Sequence, residues 1–318
     1  MGNKGIRSAG IQTHDLEVFT FVEAPQAWFD TFSSTITQLG FTSSPHDTAL
    51  FTRHTLQGIV LLLLYVDDMI ITGNDPQSQL GFTSSPHDTA LFTRHTLQGH
   101  IRSPNYLSQH FEMKELGSLN YFLGLEVSRR SNGYLLSQAK YGSNLLARSR
   151  ITDSNTASTP LDPNVHLTPY DGVPLEDVNL YRQLADSLIY LTVTRPDIAY
   201  VVHIVSQFMA APRTIHFTVV LHIIRYVKGT LGHGLQFSSQ SSLVLSGYSD
   251  ADWAGDPTDR HSTTSYCFYL GDSLISWRSK KQSVVSRSST ESEYRALADA
   301  TAELLWLRWL LADMGVPQ

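Results

Sequence analysis

The sequence predicts an α+β protein with two main domains, and three observations support this class. Apolar runs of strand length occur beside segments with helical periodicity. Apolar residues make up 42% of the 318 residues, which is enough to form buried cores. Residues 152–171 are rich in Ser, Thr, Asn, Asp and Pro and have the composition of a linker. At this length, two domains are the expectation.

The most informative stretch is Leu61–Gly73, where two adjacent aspartates, Asp67 and Asp68, interrupt an apolar run. The flanking residues are too few to span a membrane, so they predict two buried strands with the aspartates at the tip of a tight hairpin. Adjacent carboxylates repel each other unless a cation or a proton relieves them. A bound divalent cation is one interpretation. The other is an exposed Asp-Asp turn, which the two aspartates taken alone favour.

Composition limits the class of protein. The single cysteine, Cys267, excludes an internal disulfide and a cysteine-based zinc site, and we expect it to be a small buried residue in a strand. The longest apolar run ends after about eight residues, so the sequence predicts neither a signal peptide nor a membrane span. The expectation is an intracellular protein of the cytoplasm or nucleus, with no targeting signal and no membrane partner.

The net charge of −6 argues against binding of nucleic acid through a generally basic surface. Any such binding must therefore be local. The best local patch consists of Arg278, Lys280, Lys281 and Arg287. The same residues also suit an ordinary strand edge protected by charged side chains, and both interpretations stay open.

A 21-residue segment, Gln38–Gly58, recurs letter for letter as Gln79–Gly99. Selection on structure preserves a pattern rather than every surface residue, and two copies are too few for a solenoid. The first copy predicts a strand at 49–54 and a turn at 55–58 before the next strand. The second copy runs into Pro104, which disfavours the same pairing. We therefore predict an insertion at about 79–104 that has no place of its own in the fold.

The remaining elements follow from periodicity and from turn residues. Residues 1–18 show no pattern and predict a poorly ordered leader. An amphipathic helix follows Pro25, with Trp28, Phe32, Ile36 and Leu39 on one face. Further predictions, in chain order, are a short helix ending at Gly117, a hairpin over 121–137, a helix at 140–148, and three helices at 179–191, 196–209 and 216–228.

The C-terminal part predicts a strand at 243–249 that delivers Asp250 at its carboxyl end, followed by an antiparallel meander of strands at 264–270 and 274–278. A long helix then starts at Ser288, with an apolar face that includes Tyr294, Leu297, Ala298, Thr301, Leu304 and Leu305. Glu293 fits two roles, which geometry alone leaves open. It could complete a capping box with Thr290, or it could share a metal ion with Asp250.

Several motifs occur along the chain in a fixed order: Tyr65-Val-Asp-Asp68, Tyr121-Phe-Leu-Gly124, Tyr181-Arg-Gln-Leu184, Thr194-Arg-Pro-Asp197, Arg225-Tyr-Val-Lys-Gly229, Ser249-Asp-Ala-Asp-Trp-Ala-Gly255, Ser276-Trp-Arg-Ser-Lys-Lys-Gln282 and Ser288-Ser-Thr-Glu-Ser-Glu-Tyr294. Together they resemble the Pol polyprotein of copia-type LTR retrotransposons. The resemblance covers about residues 20–318, apart from the inserted repeat.

This resemblance implies a domain order. It implies a disordered leader at 1–18, a partial reverse transcriptase palm at 19–151 with the duplicated insert, and a linker at 152–178. A helical thumb or connection region would follow at 179–240, and a truncated ribonuclease H-like domain at 241–318.

The resemblance also implies two metal sites. Asp67 and Asp68 match the Mg²⁺-binding pair of the polymerase, and Asp250 and Glu293 match the first two carboxylates of the ribonuclease H site. Two ions roughly 4 Å apart would activate the attacking oxygen and stabilise the leaving one. The implied partners are a template-primer or an RNA/DNA hybrid, and the residues expected to contact it are Tyr65, Arg278, Lys280 and Lys281.

Departures from the family pattern predict an inactive fragment. A third polymerase aspartate normally lies on an upstream strand, and nothing before Phe21 resembles that strand. The family's Tyr-Gly-Leu-Lys-Gln-Ala-Pro-Arg-Ala-Trp is here Phe19-Thr-Phe-Val-Glu-Ala-Pro-Gln-Ala-Trp28, which lacks the glycine and both basic residues. The chain ends before the family's Cys-Asp-Asn strand, and Asp186 stands where the family has glycine. The alternative function is a non-enzymatic remnant that binds nucleic acid or protein.

Overall fold

The computed structural model describes residues 17–21, 26–65, 68–75, 113–151, 155–162 and 165–318, and side chains from residue 29 onward within these ranges except those of 113–118. The chain forms two compact units, one of Met1–Phe122 with Trp306–Gln318 and one of Leu123–Leu305. Both units combine helices with sheets, so the predicted mixed class is confirmed. The expected leader and the second repeat copy lie outside the described residues, apart from Glu17 and Val18.

The first unit is built on a six-stranded sheet in the order β2-β3-β4-β5-β1-β6. Its elements are β1 (Glu17–Phe21), α1 (Gln26–Gln38), β2 (Thr42–Ser43), β3 (Leu50–His54), β4 (Ile59–Tyr65), β5 (Asp68–Gly73) and β6 (Met113–Ser118), followed by the two-residue strand β7 (Tyr121–Phe122). The first repeat copy therefore forms the predicted strand and turn, and the two runs around the aspartates form the predicted hairpin.

The core of this unit lies between α1 and one face of the sheet. Phe32 and Ile36 of α1 are fully buried, as the helical periodicity predicted. On β4, alternate residues Val60, Leu62 and Leu64 are buried against them. Strand residues alternate between the two faces, so the other side chains of β4 project away from α1.

Two predictions for this unit were wrong. Residues 113–118 form β6 rather than the end of a helix, because they pair antiparallel with β1 and this long-range pairing outweighs the local pattern. Glu17 and Val18, which we expected in a poorly ordered leader, begin the strand β1, which continues to Phe21 and pairs with β5 through Thr20 and Asp68. The signal that sequence reasoning missed was the run Val-Phe-Thr-Phe, whose residues are all strong strand formers.

The second unit combines helices with strands of two sheets. Its elements are β8 (Leu125–Arg130), β9 (Gly133–Ser137), α2 (Ala139–Ser149), α3 (Val178–Leu191), α4 (Pro196–Ser206), α5 (Thr214–Gly229), β10 (Gly234–Ser238), β11 (Leu245–Ala251), β12 (Thr263–Leu270), β13 (Ser273–Lys281) and α6 (Ser289–Asp313), whose last residues belong to the first unit. The helices, the 121–137 hairpin and the C-terminal meander lie where they were predicted. Strand β10, which pairs with β9, was not predicted.

Helices α2 to α5 share one apolar core, and its largest residue is Tyr181. The Tyr181 side chain is fully buried, and its hydroxyl donates a hydrogen bond to the Val205 carbonyl at 2.6 Å. Burial raises the pKa of this hydroxyl above its usual value. Asp186 on the same helix is exposed, so the charge that stands in place of the family's glycine points to solvent rather than between two backbones.

The segment between α2 and α3 contacts these helices. Leu167 is 7% exposed and belongs to the helical core. The His216 ring accepts a hydrogen bond from the Arg213 backbone through Nδ1, so its Nε2 donates to the Thr168 carbonyl at 2.9 Å. Burial lowers the pKa of His216, which is consistent with a neutral ring in a structural role.

The motif Thr194-Arg-Pro-Asp197 ties two helices together. Arg195 is 3% exposed, and it makes bidentate hydrogen bonds to Asp197 at the start of α4. It also donates to the backbone carbonyl and the hydroxyl of Thr230, directly after α5, at 3.0 and 2.7 Å. Burial opposes ionisation of Asp197, but the hydrogen bonds and charge of Arg195 outweigh it and lower the pKa of Asp197.

Candidate metal and nucleic-acid sites

The β4–β5 hairpin places Asp68 near the middle of the six-stranded sheet. Asp68 is the first residue of β5 and pairs with Tyr65, the last residue of β4. On its other side it pairs with Thr20 of β1. Asp68 therefore belongs to the paired strand rather than to the tip of the hairpin, where we expected it together with Asp67. Asp67 itself lies outside the described residues.

Tyr65 and Asp68 lie on the face of the sheet that points away from α1. Directly paired residues project to the same face, and the neighbouring pair, Leu64 and Met69, is buried against α1. Tyr65 is 54% exposed and Asp68 is partly exposed. An apolar core on one face therefore supports a carboxylate and an aromatic ring that are accessible on the other.

Asp250 lies within β11, one residue before the end of the strand, rather than directly after it. It pairs with Ser265 of β12 and is exposed. The next residue, Ala251, pairs with Thr264. Thr264 lies on the face of the sheet that α6 covers, because the Gln282 side chain donates hydrogen bonds both to the Thr264 hydroxyl and to the Ser292 carbonyl of α6. By alternation, Asp250 projects to the opposite face, on a strand that is the outermost of its described sheet.

The cap of α6 differs from the predicted one. The Ser288 hydroxyl accepts a hydrogen bond from the Glu291 backbone, and the Glu291 carboxylate accepts one from the Arg287 backbone at 2.9 Å. This second bond lowers the pKa of Glu291. The capping box of Thr290 and Glu293, which was one of the two roles left open for Glu293, is therefore not the cap that forms. Glu293, two residues after Glu291, is exposed.

The buried face of α6 also differs from the predicted one. Its buried residues are Ser292, Ala296, Ala300, Leu307 and Leu311. Tyr294 and Leu297, which we expected inside, are 66% and 51% exposed. The physical reason is that small residues allow a helix to approach a sheet closely, and periodicity based on large apolar residues does not detect them.

Among the predicted basic contacts, Lys281 differs from its neighbours. Its ammonium lies 2.6 Å from Asp256 and 2.7 Å from Asp259, in the loop between β11 and β12. These two carboxylates were not singled out from the sequence. Arg278 and Lys280 are exposed, in contrast to Lys281.

This ion-pair network predicts an acid-sensitive loop. Burial disfavours the ionised carboxyls, but hydrogen bonds from Lys281 outweigh it and lower the pKa of Asp256 and Asp259, the latter to about 2. Because the pKa of an aspartate in the unfolded chain is about 3.9, the network stabilises the fold above that pH, and this stabilisation is lost as the pH falls toward 2.

We expect Lys281→Met to reduce this acid-dependent loss in the free energy of unfolding. Lys280→Met is the matched control and should leave it unchanged; urea unfolding from pH 6 to pH 2 measures both.

The described residues contain no group of three or more His, Cys, Asp or Glu side chains placed to hold a metal ion. Of the four predicted metal ligands, the structure describes Asp68, Asp250 and Glu293 but not Asp67. Across the same described residues, no helix is both long and apolar enough to cross a bilayer.

Comparison with known proteins identifies the family. Residues 7–85 and 100–163 match the model of the family "Reverse transcriptase (RNA-dependent DNA polymerase)". The interruption at 86–99 falls within the second repeat copy. No solved structure matches the chain.

The similar proteins include long polyproteins and a shorter protein. The chain is 41% identical over 294 residues to the retrovirus-related Pol polyprotein from transposon RE1 of Arabidopsis thaliana, and 36% identical over 308 residues to that of transposon TNT 1-94 of Nicotiana tabacum. These alignments cover 92% and 93% of the chain but 19% and 21% of the relatives, so the chain spans about a fifth of their length.

A shorter relative is similar over nearly its whole length. It is the uncharacterized mitochondrial protein AtMg00810 of Arabidopsis thaliana, 40% identical over 245 residues, which cover 77% of this chain and 93% of the relative. The chain therefore belongs to the reverse transcriptase family of copia-type retrotransposon Pol polyproteins.

Proposed function

We propose that the chain carries the last part of a reverse transcriptase palm, a helical connection and the first part of a ribonuclease H-like domain. The sheet with its central hairpin supports the palm assignment. The helices α3 to α5 correspond to the connection, and the meander β11-β12-β13 followed by α6 corresponds to the ribonuclease H-like part. The domain boundaries given above are part of this proposal.

In this proposal Asp67 and Asp68 bind Mg²⁺ at the polymerase site. The observation that carries it is the position of Asp68, at a two-residue turn, on the accessible face of a sheet whose other face is packed. Such a position allows adjacent carboxylate oxygens to reach one hard cation while the strands stay rigid. Bound Mg²⁺ would stabilise the charge that develops on phosphate oxygens during nucleotide transfer.

Metal-directed cleavage tests this site. Fe²⁺ can take the place of Mg²⁺ at oxygen ligands and, with ascorbate and peroxide, produces hydroxyl radicals that cut the backbone nearby. We expect cuts close to residues 65–70 that excess Mg²⁺ suppresses and that Asp67→Asn with Asp68→Asn removes. Asp47→Asn with Asp75→Asn is the matched control in the same unit. Cleavage that persists in the Asp67/Asp68 variant would contradict the proposal.

Asp250 and Glu293 are proposed as the first two carboxylates of a ribonuclease H site. Both are exposed, and Glu293 is not engaged in the cap of α6. Because Asp250 projects from the face opposite α6, an ion shared with Glu293 would have to lie at the outer edge of β11, where the two faces meet. The same Fe²⁺ experiment tests this site through cuts near residue 250.

The proposed nucleic-acid partner is a template-primer or an RNA/DNA hybrid. Tyr65 presents an exposed ring on the same face as Asp68, suited to stacking against a base or sugar. Arg278 and Lys280 present exposed cations, suited to phosphate contacts. Lys281 would contribute less, because two carboxylates already neutralise it.

We propose that this chain by itself does not extend a primer. The segment Phe19–Trp28 lacks the glycine and both basic residues with which the family lines the template and nucleotide site. Even partners of a metal ligand typically contribute 10- to 100-fold to metal affinity or activity, and here several first contacts are replaced. Primer extension with Mg²⁺ on an RNA template should show no product above background. Extension that Asp68→Asn abolishes would overturn this prediction.

A second candidate function is a non-enzymatic module that binds nucleic acid or protein. One short relative favours it: the secreted RxLR effector protein 161 of Plasmopara viticola is 46% identical over 128 residues, 90% of its length. Hybrid binding that is lost on Arg278→Glu with Lys280→Glu, without any cleavage or extension, would distinguish this function.

A further inference from the structure

The first repeat copy, Gln38–Gly58, forms the outer edge of the six-stranded sheet. It contributes β2 and β3, which are the two outermost strands, and only β3 pairs with the rest of the sheet, through β4. Strands β2 and β3 can therefore detach from the sheet together without breaking the pairings among β4, β5, β1 and β6.

Side chains of the first copy fill a defined position. Phe51 is 1% exposed and lies edge-on to Phe32 of α1, with ring centroids 6.5 Å apart. The Ser44 hydroxyl donates to Asp313 at 2.6 Å, and the His46 ring stacks on Trp309 at 5.1 Å. The partners of these contacts, on α1 and near the end of α6, belong to neither copy.

The second copy carries the same side chain at every corresponding position. Phe92, Ser85 and His87 stand where the first copy has Phe51, Ser44 and His46. Strand β4 and the partners in α1 and α6 therefore have no chemical means of distinguishing the two copies. Only the connections to the rest of the chain differ.

The connections favour the first copy to a limited extent. Four residues, 55–58, join β3 to β4, whereas 17 residues, 74–90, separate β5 from the leucine that corresponds to the start of β3. The entropic cost of closing a loop grows with the logarithm of its length, so this difference amounts to roughly tenfold in population.

We propose that Gln79–Gly99 is an alternative occupant of the edge position that Gln38–Gly58 holds, and that the chain exchanges between the two arrangements. The exchange is intramolecular, because the second copy is tethered to β5 and its effective concentration at the edge is far above that of a second molecule. The β4–β5 hairpin with Asp68 is common to both arrangements.

Single and double substitutions test the exchange in the full-length chain. Phe51→Asp should reduce the folding equilibrium of the first unit by only about tenfold, because the second copy takes over the position. Phe92→Asp alone should have almost no effect. The double variant should lose at least a further hundredfold, as expected when a buried phenylalanine cannot be replaced. If Phe51→Asp alone is as destabilising as the double variant, the proposal is overturned.

Disulfide trapping provides a second measurement that does not require a destabilised variant. Thr52 and Leu61 are directly opposite on β3 and β4, and such pairs lie within the range that a disulfide spans. Thr93 corresponds to Thr52, so Thr93→Cys with Leu61→Cys should form an intramolecular disulfide under a glutathione redox buffer. Thr93→Cys with Thr301→Cys is the control. No disulfide above that control, or one that joins two molecules, would overturn the intramolecular exchange.

Discussion

Replacing Arg195 with methionine is expected to destabilise the second unit by about 3 kcal/mol. Removing one partner of a buried ion pair costs about 3–5 kcal/mol, and the lower value applies because Asp197 is 33% exposed and water can screen it. Asp197 also keeps the Tyr226 hydroxyl at 2.9 Å, and the Thr230 carbonyl loses the Arg195 bond but keeps the one from the His233 backbone at 3.0 Å. Urea unfolding followed by far-ultraviolet circular dichroism, which reports the helical layer, measures the effect.

Arg130→Met is the matched control for this prediction. Arg130 is an exposed arginine at the end of β8, so its replacement should change the free energy of unfolding by less than about 0.5 kcal/mol. Arg195→Met should also increase hydrogen exchange at the start of α4 and the end of α5, where the lost bonds lie. Equal stabilities of the Arg195 and Arg130 variants would show that Arg195 does not hold these helices together.

Replacing Phe32 with alanine is expected to destabilise the first unit by about 3–5 kcal/mol, the usual cost of deleting a buried aromatic side chain. Phe32 has no exposed surface, and it packs against Phe51 in the core beneath the β4–β5 hairpin. Because this core supports the strands that carry Tyr65 and Asp68, we expect the Fe²⁺-directed cuts near residues 65–70 to weaken in parallel.

Phe29→Ala provides the comparison on the same helix. Phe29 is 38% exposed, although its ring also lies near Phe51 at 6.4 Å. The substitution should cost about 1 kcal/mol, since part of the ring is already in water. Urea unfolding of the two variants side by side measures the difference, and an equal cost for both would contradict the described orientation of α1.

Local sequence patterns were sufficient to predict a helix or strand wherever that element buries a continuous apolar stripe. Periodicity and turn residues predicted helices α1 to α5 and the hairpins β4–β5 and β12–β13. The β4–β5 hairpin is the one that contains Asp68. The motif Thr194–Asp197 was recognised by resemblance, but its physical role was not. Only the structure shows that Arg195 joins the start of α4 to the residue after α5.

Contacts between segments that are distant in the sequence decided the structure where local patterns did not predict it. Residues 113–118 became a strand because β1 provides a partner for them. Helix α6 buries its small residues rather than Tyr294 and Leu297, and its cap uses Ser288 and Glu291 rather than the equally suitable Thr290 and Glu293. A capping box specifies which residue types are needed, and only the packed chain selects among neighbouring candidates.

The sequence by itself determined the family, the mixed class and the strand hairpin that contains Asp68, because these depend on residue identity and local period. The tertiary structure decided which face of the sheet carries Asp68, which lysine is already neutralised, and which residues of the repeat hold the sheet edge. These features depend on which strands and helices meet, and contacts between distant segments cannot be read from residue identity or local period.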